Sequence, residues 1–218
     1  IGAAIASSQV GGRLIDPLSM SPKWSEAELR SALNQEFKPQ GLSVNAEVMG
    51  SAVSQRLIQE IIAGSPLMPT STAVKLARGM LESGAAVPTQ ISVAPGTVLF
   101  KAVPAGESVD SKSSYCIDNG TRIATSKMSS QQLADFMGLP AWSQLTATIR
   151  GGYDLYSITV KPEADVVVFK STVAPTDQGL IFTRGGGSQI IVPNRDLWTL
   201  PMKVTPGTVR VVPHTPEP

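Results

Sequence analysis

The sequence predicts an α+β fold in which an N-terminal helical segment is followed by a compact, strand-rich domain. Apolar residues recur at helical spacing up to about residue 84, whereas from about residue 88 they alternate along short segments. Only 16% of the residues are charged, and 19 glycines and 17 prolines favour short strands joined by many turns. We therefore divide the 218 residues into a helical segment, 1–87, and a strand-rich domain, 88–218.

The sequence predicts three helices in the N-terminal segment. Ser21-Pro22 can begin the first helix, because serine is a favourable N-cap and proline suits the first helical position; Pro39 stops it. Asn45 can cap the second helix. The third runs from about Thr70 to Glu82, with Gly84 as the residue after its C-cap. The apolar residues that repeat on one face of these helices are Leu29, Leu33, Phe37, Met49, Val53, Leu57, Ile61, Val74, Ala77 and Leu81.

Alternating apolar residues with β-branched and aromatic side chains predict the strands of the second domain. These segments are Gln90–Ala94, Thr97–Val103, Tyr153–Val160, Asp165–Lys170, Leu180–Thr183, Gln189–Val192 and Thr208–Val212. A short helix is predicted after Ser129 or Ser130. Arg184–Gly187 is predicted as the turn of a hairpin whose second strand begins at Ser188-Gln189.

Composition removes several kinds of chemistry and of partner. The single histidine, His214, lies in a proline-rich tail, so a Ser-His-Asp triad or a Cys-His dyad is not expected. With one cysteine, Cys116, the chain can form no internal disulfide, and it lacks the usual zinc-binding sets. The net charge of +1 and the absence of a long apolar run predict neither bulk nucleic-acid binding nor a membrane span. Because the sequence does not begin with Met, we expect a piece of a longer protein.

Three consecutive glycines, Gly185, Gly186 and Gly187, stand out in the stretch GLIFTRGGGSQIIVP. Glycine frees the backbone from most steric limits at an entropic cost that an ordinary hairpin need not incur. One reason to keep three of them is that a ligand approaches the main chain closely. The alternative is a glycine-rich surface hairpin in which Gln189 has no special role.

Three segments together resemble the necrotizing-toxin (TNT) family of NAD glycohydrolases, which is related to the ADP-ribosyltransferase fold. They are PGTVLFK at 95–101, SYCIDNG at 114–120 and GGGSQ at 185–189, and the resemblance covers roughly residues 91–201. In that family a Pro-Gly-Thr turn leads into a strand that ends in a functional arginine, and a Ser-Tyr segment follows. A Gly-Gly-Gly-x-Gln segment then carries the catalytic glutamine.

The resemblance implies that Gln189 and Tyr115 are catalytic residues. Lys101 stands where the family has arginine, so it keeps the positive charge but not the bidentate fork that arginine makes with phosphate. Arg122 and Arg184 are therefore candidates for the missing guanidinium. The three glycines are candidates for substrate contact. No metal and no cofactor are expected, since NAD⁺ or NADP⁺ is the substrate.

The resemblance also implies a biological setting, a secreted or contact-delivered bacterial toxin that acts in the cytosol of its target cell and is blocked by a cognate immunity protein. Three other functions remain open: an ADP-ribosyltransferase that modifies a protein or nucleic acid, a toxin nuclease, and a non-enzymatic adhesin fragment. The lack of a local carboxylate beside Gln189 favours hydrolysis over transfer. The lack of a basic stripe and of internal repeats disfavours the nuclease and the adhesin.

Overall fold

A computed structural model of the protein describes residues 9–10, 13–14, 38–110, 113–162, 165–178 and 181–204, with side chains from residue 40 onward. Within these ranges the predicted α+β fold is confirmed, because helices precede a strand-rich region built of antiparallel sheets. The first predicted helix, the predicted strand Thr208–Val212 and His214 lie outside the described residues. The predicted division of the chain near residue 87 stays a prediction.

The helices of the described residues are α1 (Ala46–Gly50), α2 (Ala52–Gly64), α3 (Thr70–Glu82), α4 (Asn119–Thr125), α5 (Ser130–Phe136) and α6 (Ala141–Arg150). The predicted second helix is therefore two helices, α1 and α2. The break falls at Ser51, whose backbone is extended at ψ 152° and whose hydroxyl accepts a hydrogen bond from the Ser54 amide. A serine side chain that caps a new helix competes with continuation of the old one.

The strands of the described residues form four antiparallel sheets. They are β1 (Gln9–Val10), β2 (Arg13–Leu14), β3 (Lys38–Pro39), β4 (Thr89–Val93), β5 (Val98–Pro104), β6 (Tyr115–Cys116), β7 (Tyr153–Thr159), β8 (Val166–Thr172), β9 (Thr176–Asp177), β10 (Phe182–Thr183), β11 (Ser188–Ile191) and β12 (Met202–Lys203). The largest sheet has the order β4-β8-β11-β6. The others are β12-β7-β5, β10-β9-β3 and β1-β2.

The four-stranded sheet lies between two apolar layers, because successive side chains of a strand point to opposite faces. On β8, Val166 and Val168 belong to one buried cluster, which also contains Leu99 and Ile158 of the β12-β7-β5 sheet. Phe169 belongs to the other cluster, with residues of α2 and α3. The N-terminal helices therefore share a hydrophobic core with a strand of the second half of the chain.

The sequence did not predict α4 or α6. Asp118 caps α4 by accepting a hydrogen bond from the Thr121 amide, and it also pairs with Lys170 of β8 at 2.9 Å. The first residue of α6 follows Pro140, and the helix ends at Gly151 in the left-handed conformation (φ 83°). Packing against the neighbouring strands stabilises both short helices, and such packing is not visible in a local pattern.

The predicted hairpin at Arg184–Gly187 is wrong. Strand β10 pairs with β9, and β11 pairs with β8 and β6, so the glycine segment connects two different sheets. Gly185 and Gly186 have φ values of 65° and 93°, which glycine adopts at no steric cost, but the strands on either side of them pair with other partners.

None of the helices in the described ranges is long and apolar enough to cross a membrane.

Candidate functional site

Lys101, Tyr115 and Gln189 line one cavity of about 370 Å³. They come from three strands, β5, β6 and β11, which are distant in sequence. On β11, Gln189 and Ile191 point to the same face, and Tyr115 lies directly opposite Ile191 in the register of β6 with β11. The fold therefore brings the three predicted residues together at one cavity, with Gln189 and Tyr115 on one face of the four-stranded sheet.

Most of the cavity wall is apolar. It is formed by β5, by α5 and α6, and by the C-terminal end of α3. Its large apolar members are Phe100, Ile117, Leu133, Met137, Leu139 and Trp142. None of the described residues that line it is an aspartate or a glutamate, and no group of acidic, histidine or cysteine side chains able to hold a metal occurs in the described ranges.

Gln189 is buried, with 6% of its surface exposed, and its amide orientation is fixed by two serines. The amide nitrogen Nε2 donates to Ser83 Oγ at 3.0 Å and to Ser171 Oγ at 2.9 Å. Both hydrogens of the amide are therefore used. Within the described part of the chain no hydrogen bond reaches Oε1, so this oxygen is available to accept one from a ligand or water in the cavity.

Tyr115 supplies a phenol at the edge of the cavity. Burial of the hydroxyl raises the pKa of Tyr115 above its usual value, and a hydrogen bond with Ser83 partly offsets this effect. The phenol is therefore protonated at neutral pH. It can donate a hydrogen bond, and its ring offers a flat surface to a ligand.

Lys101 provides the positive charge of the cavity. Burial lowers the pKa of Lys101, the charge of Arg195 lowers it further, and Cys116 and Asp110 oppose the effect. Its ammonium group donates a hydrogen bond to Ser113 Oγ. A buried cation is stabilised by an anionic ligand, so the group is suited to bind a phosphate.

The two candidate arginines do not line the cavity. Arg184 is largely exposed, and its guanidinium is paired with Asp135, at 2.7 Å through Nε and 2.6 Å through Nη2. The Arg122 guanidinium lies 5.0 Å from the centre of the Phe100 ring and donates to Asn119 Oδ1 at 2.8 Å. Arg195, which the sequence did not single out, is the arginine whose charge acts on Lys101.

The three glycines have other packing partners. The amides of Gly185, Gly186 and Gly187 each donate a 3.0 Å hydrogen bond to a protein carbonyl oxygen, those of Asp135, Val173 and Phe136 respectively. These donors are already used within the protein. A side chain at Gly187 would lie 2.6 Å from Met137 Sδ, whereas none of the residues near Gly186 would be touched. The segment thus allows the backbone to approach α5 closely.

Sequence reasoning missed Ser83, Ser171 and Trp142. Ser83 follows α3, where a serine before a glycine indicates only the end of a helix. Ser171 lies directly opposite Gln189 in the register of β8 with β11, which could not be read before the strand pairing was known. Trp142 is in the unpredicted helix α6.

No protein-family model and no curated protein sequence matches this chain. Two solved structures align with it at low similarity. A structure of Rhs1-CT in complex with its cognate immunity protein RhsI1 is 18% identical, covers 56% of this chain and 80% of that chain, and has a TM-score of 0.38. A structure of Tse6 in complex with Tsi6 is 15% identical, covers 72% of this chain and 98% of that chain, and has a TM-score of 0.38. Similarity at this level carries no functional conclusion.

Proposed function

We propose that this chain is a bacterial toxin module that hydrolyses NAD⁺ or NADP⁺ at the bond between nicotinamide and ribose. One observation carries the proposal: Lys101, Tyr115 and Gln189, selected from three separate segments by resemblance to NAD glycohydrolases, line the same cavity. Residues chosen for unrelated structural reasons have no cause to converge in this way. The resemblance further supports delivery into the cytosol of a target cell and inhibition by an immunity protein.

The chemistry needs no metal and no histidine. The nicotinamide of NAD⁺ is a pyridinium, so it leaves as a neutral molecule without being protonated. Breaking its bond to ribose passes through an oxocarbenium-like state, as in other glycoside cleavages. The protein has to bind the dinucleotide, hold the ribose and place a hydrogen-bond acceptor near the anomeric carbon.

Each of the three residues has a role that its environment supports. The Gln189 Oε1 atom accepts a hydrogen bond from the attacking water or from a ribose hydroxyl. The protonated Tyr115 hydroxyl donates to the nicotinamide riboside, and Lys101 pairs with phosphate. The apolar wall around Trp142 excludes water from the nicotinamide ring.

Hydrolysis is favoured over ADP-ribosyl transfer by the lack of a carboxylate among the described residues of the cavity wall. Transfer to an acceptor commonly uses a glutamate as base, whereas a neutral amide such as Gln189 can orient water but is a poor base.

The test is to incubate the protein with NAD⁺ and to quantify free nicotinamide and free ADP-ribose, with and without added bacterial lysate as a source of acceptors. We expect equal amounts of the two products and no ADP-ribose attached to macromolecules of the lysate. Macromolecules that carry ADP-ribose, together with less free ADP-ribose than nicotinamide, would indicate transfer instead. If no nicotinamide is released, the proposed function is wrong.

Expression inside bacteria without an inhibitor is expected to lower NAD levels and stop growth.

The first mutational prediction concerns the charge of Lys101. In Lys101→Ala the loss of a phosphate contact should raise KM for NAD⁺ more than it lowers kcat, because the phosphates are remote from the bond that breaks. Lys101→Arg restores a cation with a bidentate fork and should keep or improve kcat/KM. Steady-state kinetics on both variants checks this. A KM for Lys101→Ala equal to that of the parent would show that Lys101 does not bind the substrate.

A second prediction concerns the pH dependence of KM. Because burial lowers the pKa of Lys101, its positive charge is lost at a lower pH than that of an exposed lysine, for which the pKa is about 10.4. The charge is fully present well below the lowered pKa, so KM should be constant there and should rise as the pH increases through it. In Lys101→Arg the guanidinium stays charged and the rise should vanish. Lys127→Arg, at an exposed lysine outside the cavity wall, should behave as the parent does.

A further inference from the structure

We propose that Ser83, at the end of α3, is a positioning residue that fixes the amide of Gln189. The end of α3 is then part of the active site. The kinetic part of this inference rests on the proposed NAD-cleaving function, whereas its structural part does not.

The proton of the Ser83 hydroxyl is used within α3. Ser83 Oγ donates to the carbonyl oxygen of Met80 at 2.7 Å, within the last turn of α3. A hydroxyl has one proton and two acceptor sites, so Ser83 can only accept from its other neighbours. One of these is Gln189 Nε2 at 3.0 Å.

This arrangement decides which way the Gln189 amide points. If the amide were rotated by half a turn, its oxygen would face Ser83 Oγ, which has no proton left to donate. Two acceptors would then be in contact without water, which is unfavourable. Ser171 Oγ accepts the second amide hydrogen at 2.9 Å, and together the two serines keep Oε1 free for the cavity.

The backbone around Ser83 is fixed to the end of β8. The carbonyl oxygen of Ser83 accepts from the Ala174 amide at 2.9 Å, and the Ala85 amide donates to Thr172 O at 2.9 Å. A Cβ on Gly84 would lie 3.1 Å from Ser171 Oγ, so a glycine here lets the turn approach the sheet closely. Ser83 is thus held at a defined distance from the strand that carries Ser171, the register partner of Gln189.

The experiment compares Ser83→Ala with Ser126→Ala. Ser126 is a matched control because it also directly follows the last residue of a helix and donates to the carbonyl oxygen three residues earlier, Ile123 O at 2.7 Å. Unlike Ser83, it is exposed and does not line the cavity. We expect Ser83→Ala to lower kcat for nicotinamide release by about tenfold, with a smaller change in KM, and Ser126→Ala to match the parent. Ser83→Thr keeps the hydroxyl and should restore most of the rate. Equal kcat values for Ser83→Ala and the parent would overturn the proposal.

A double mutant separates positioning from a general structural effect. If Ser83 acts mainly through Gln189, adding Ser83→Ala to Gln189→Ala should change the residual rate by less than about twofold. A full tenfold loss in that background would mean that Ser83 acts independently of Gln189, contrary to the proposal.

A third measurement does not depend on activity. The side-chain amide signals of Gln189 in a ¹⁵N NMR spectrum can be assigned by their absence from Gln189→Ala. They should shift in Ser83→Ala and stay in place in Ser126→Ala. If the alanine variant does not fold, Ser83→Cys tests the same hydrogen bond, because a thiol is a weak acceptor. If the Gln189 signals do not shift in the Ser83 variant, the positioning role is refuted. If they shift but the parent protein releases no nicotinamide, only the NAD-cleaving function is refuted.

Discussion

Replacing Gln189 by alanine should slow the release of nicotinamide from NAD⁺ by about 10²-fold or more. Removing one positioned polar group near reacting atoms typically has an effect of this size. The amide oxygen of Gln189 is available in the cavity because both amide hydrogens are held by Ser83 and Ser171. Its acceptor role therefore requires no rearrangement when the substrate binds. The loss should appear in kcat and in kcat/KM alike.

The same variant should also be less stable than the parent. The hairpin predicted from the sequence would place Gln189 at the start of its second strand, where removing the side chain would change the stability little. In the structure it is buried and donates two hydrogen bonds, so Gln189→Ala should lose about 2 kcal/mol of unfolding free energy, roughly 1 per bond. Kinetic assays must therefore be made well below the melting temperature of the variant.

Ser54→Ala is a suitable control for that loss of stability. Ser54 is fully buried in the N-terminal helices, its hydroxyl donates to Val48 O at 2.6 Å, and it does not line the cavity. It should lower the melting temperature while leaving the rate of NAD⁺ cleavage at the parent value. A folded Gln189→Ala that cleaves NAD⁺ at the parent rate would show that the site has been assigned to the wrong residue.

The parts of the fold that the sequence predicted correctly depend on local patterns. The spacing of four residues between Leu57 and Ile61 predicted a buried helical face, and both residues are in the core beside α3. The alternation of Tyr153–Val160 predicted a strand, which the structure has at Tyr153–Thr159. A period of this kind is set by the geometry of the backbone and needs no tertiary information.

What the sequence could not predict depends on contacts between distant residues. Ser83 and Gln189 are 106 residues apart, and nothing near either one indicates the hydrogen bond between them. The pairing of β11 with β8 and β6, rather than with β10, is likewise a long-range choice. Because β11 pairs with these two strands, the predicted hairpin does not form and Gln189 is buried.

The glycine segment illustrates how one pattern allows two physical explanations. Three consecutive glycines indicate that something approaches the main chain closely, and the sequence reading assigned that role to a ligand. In the structure, parts of the protein itself come close to Gly185 and Gly187, namely the chain at Val173-Ala174 and the end of α5. The two explanations differ in which substitutions are tolerated.

Gly185→Ala should therefore lower the unfolding free energy by about 2 to 5 kcal/mol. Its φ of 65° costs an alanine about 1 to 2 kcal/mol. An added Cβ would also lie 2.5 Å from Val173 O and 2.7 Å from Ala174 O, which are backbone atoms that cannot move aside as a side chain can. Overpacking of this kind costs about 1 to 3 kcal/mol more.

Gly186→Ala is the matched control, since the two glycines are adjacent and both have positive φ. A Cβ on Gly186, at φ 93°, meets no atom within 4 Å, so this variant should lose only the conformational part, about 1 to 2 kcal/mol. Urea denaturation of both variants and of the parent at 25 °C measures the difference. If the two variants lose the same stability, the close contact with Val173-Ala174 does not explain Gly185. A parent-like Gly185→Ala with a raised KM for NAD⁺ would favour the ligand explanation instead.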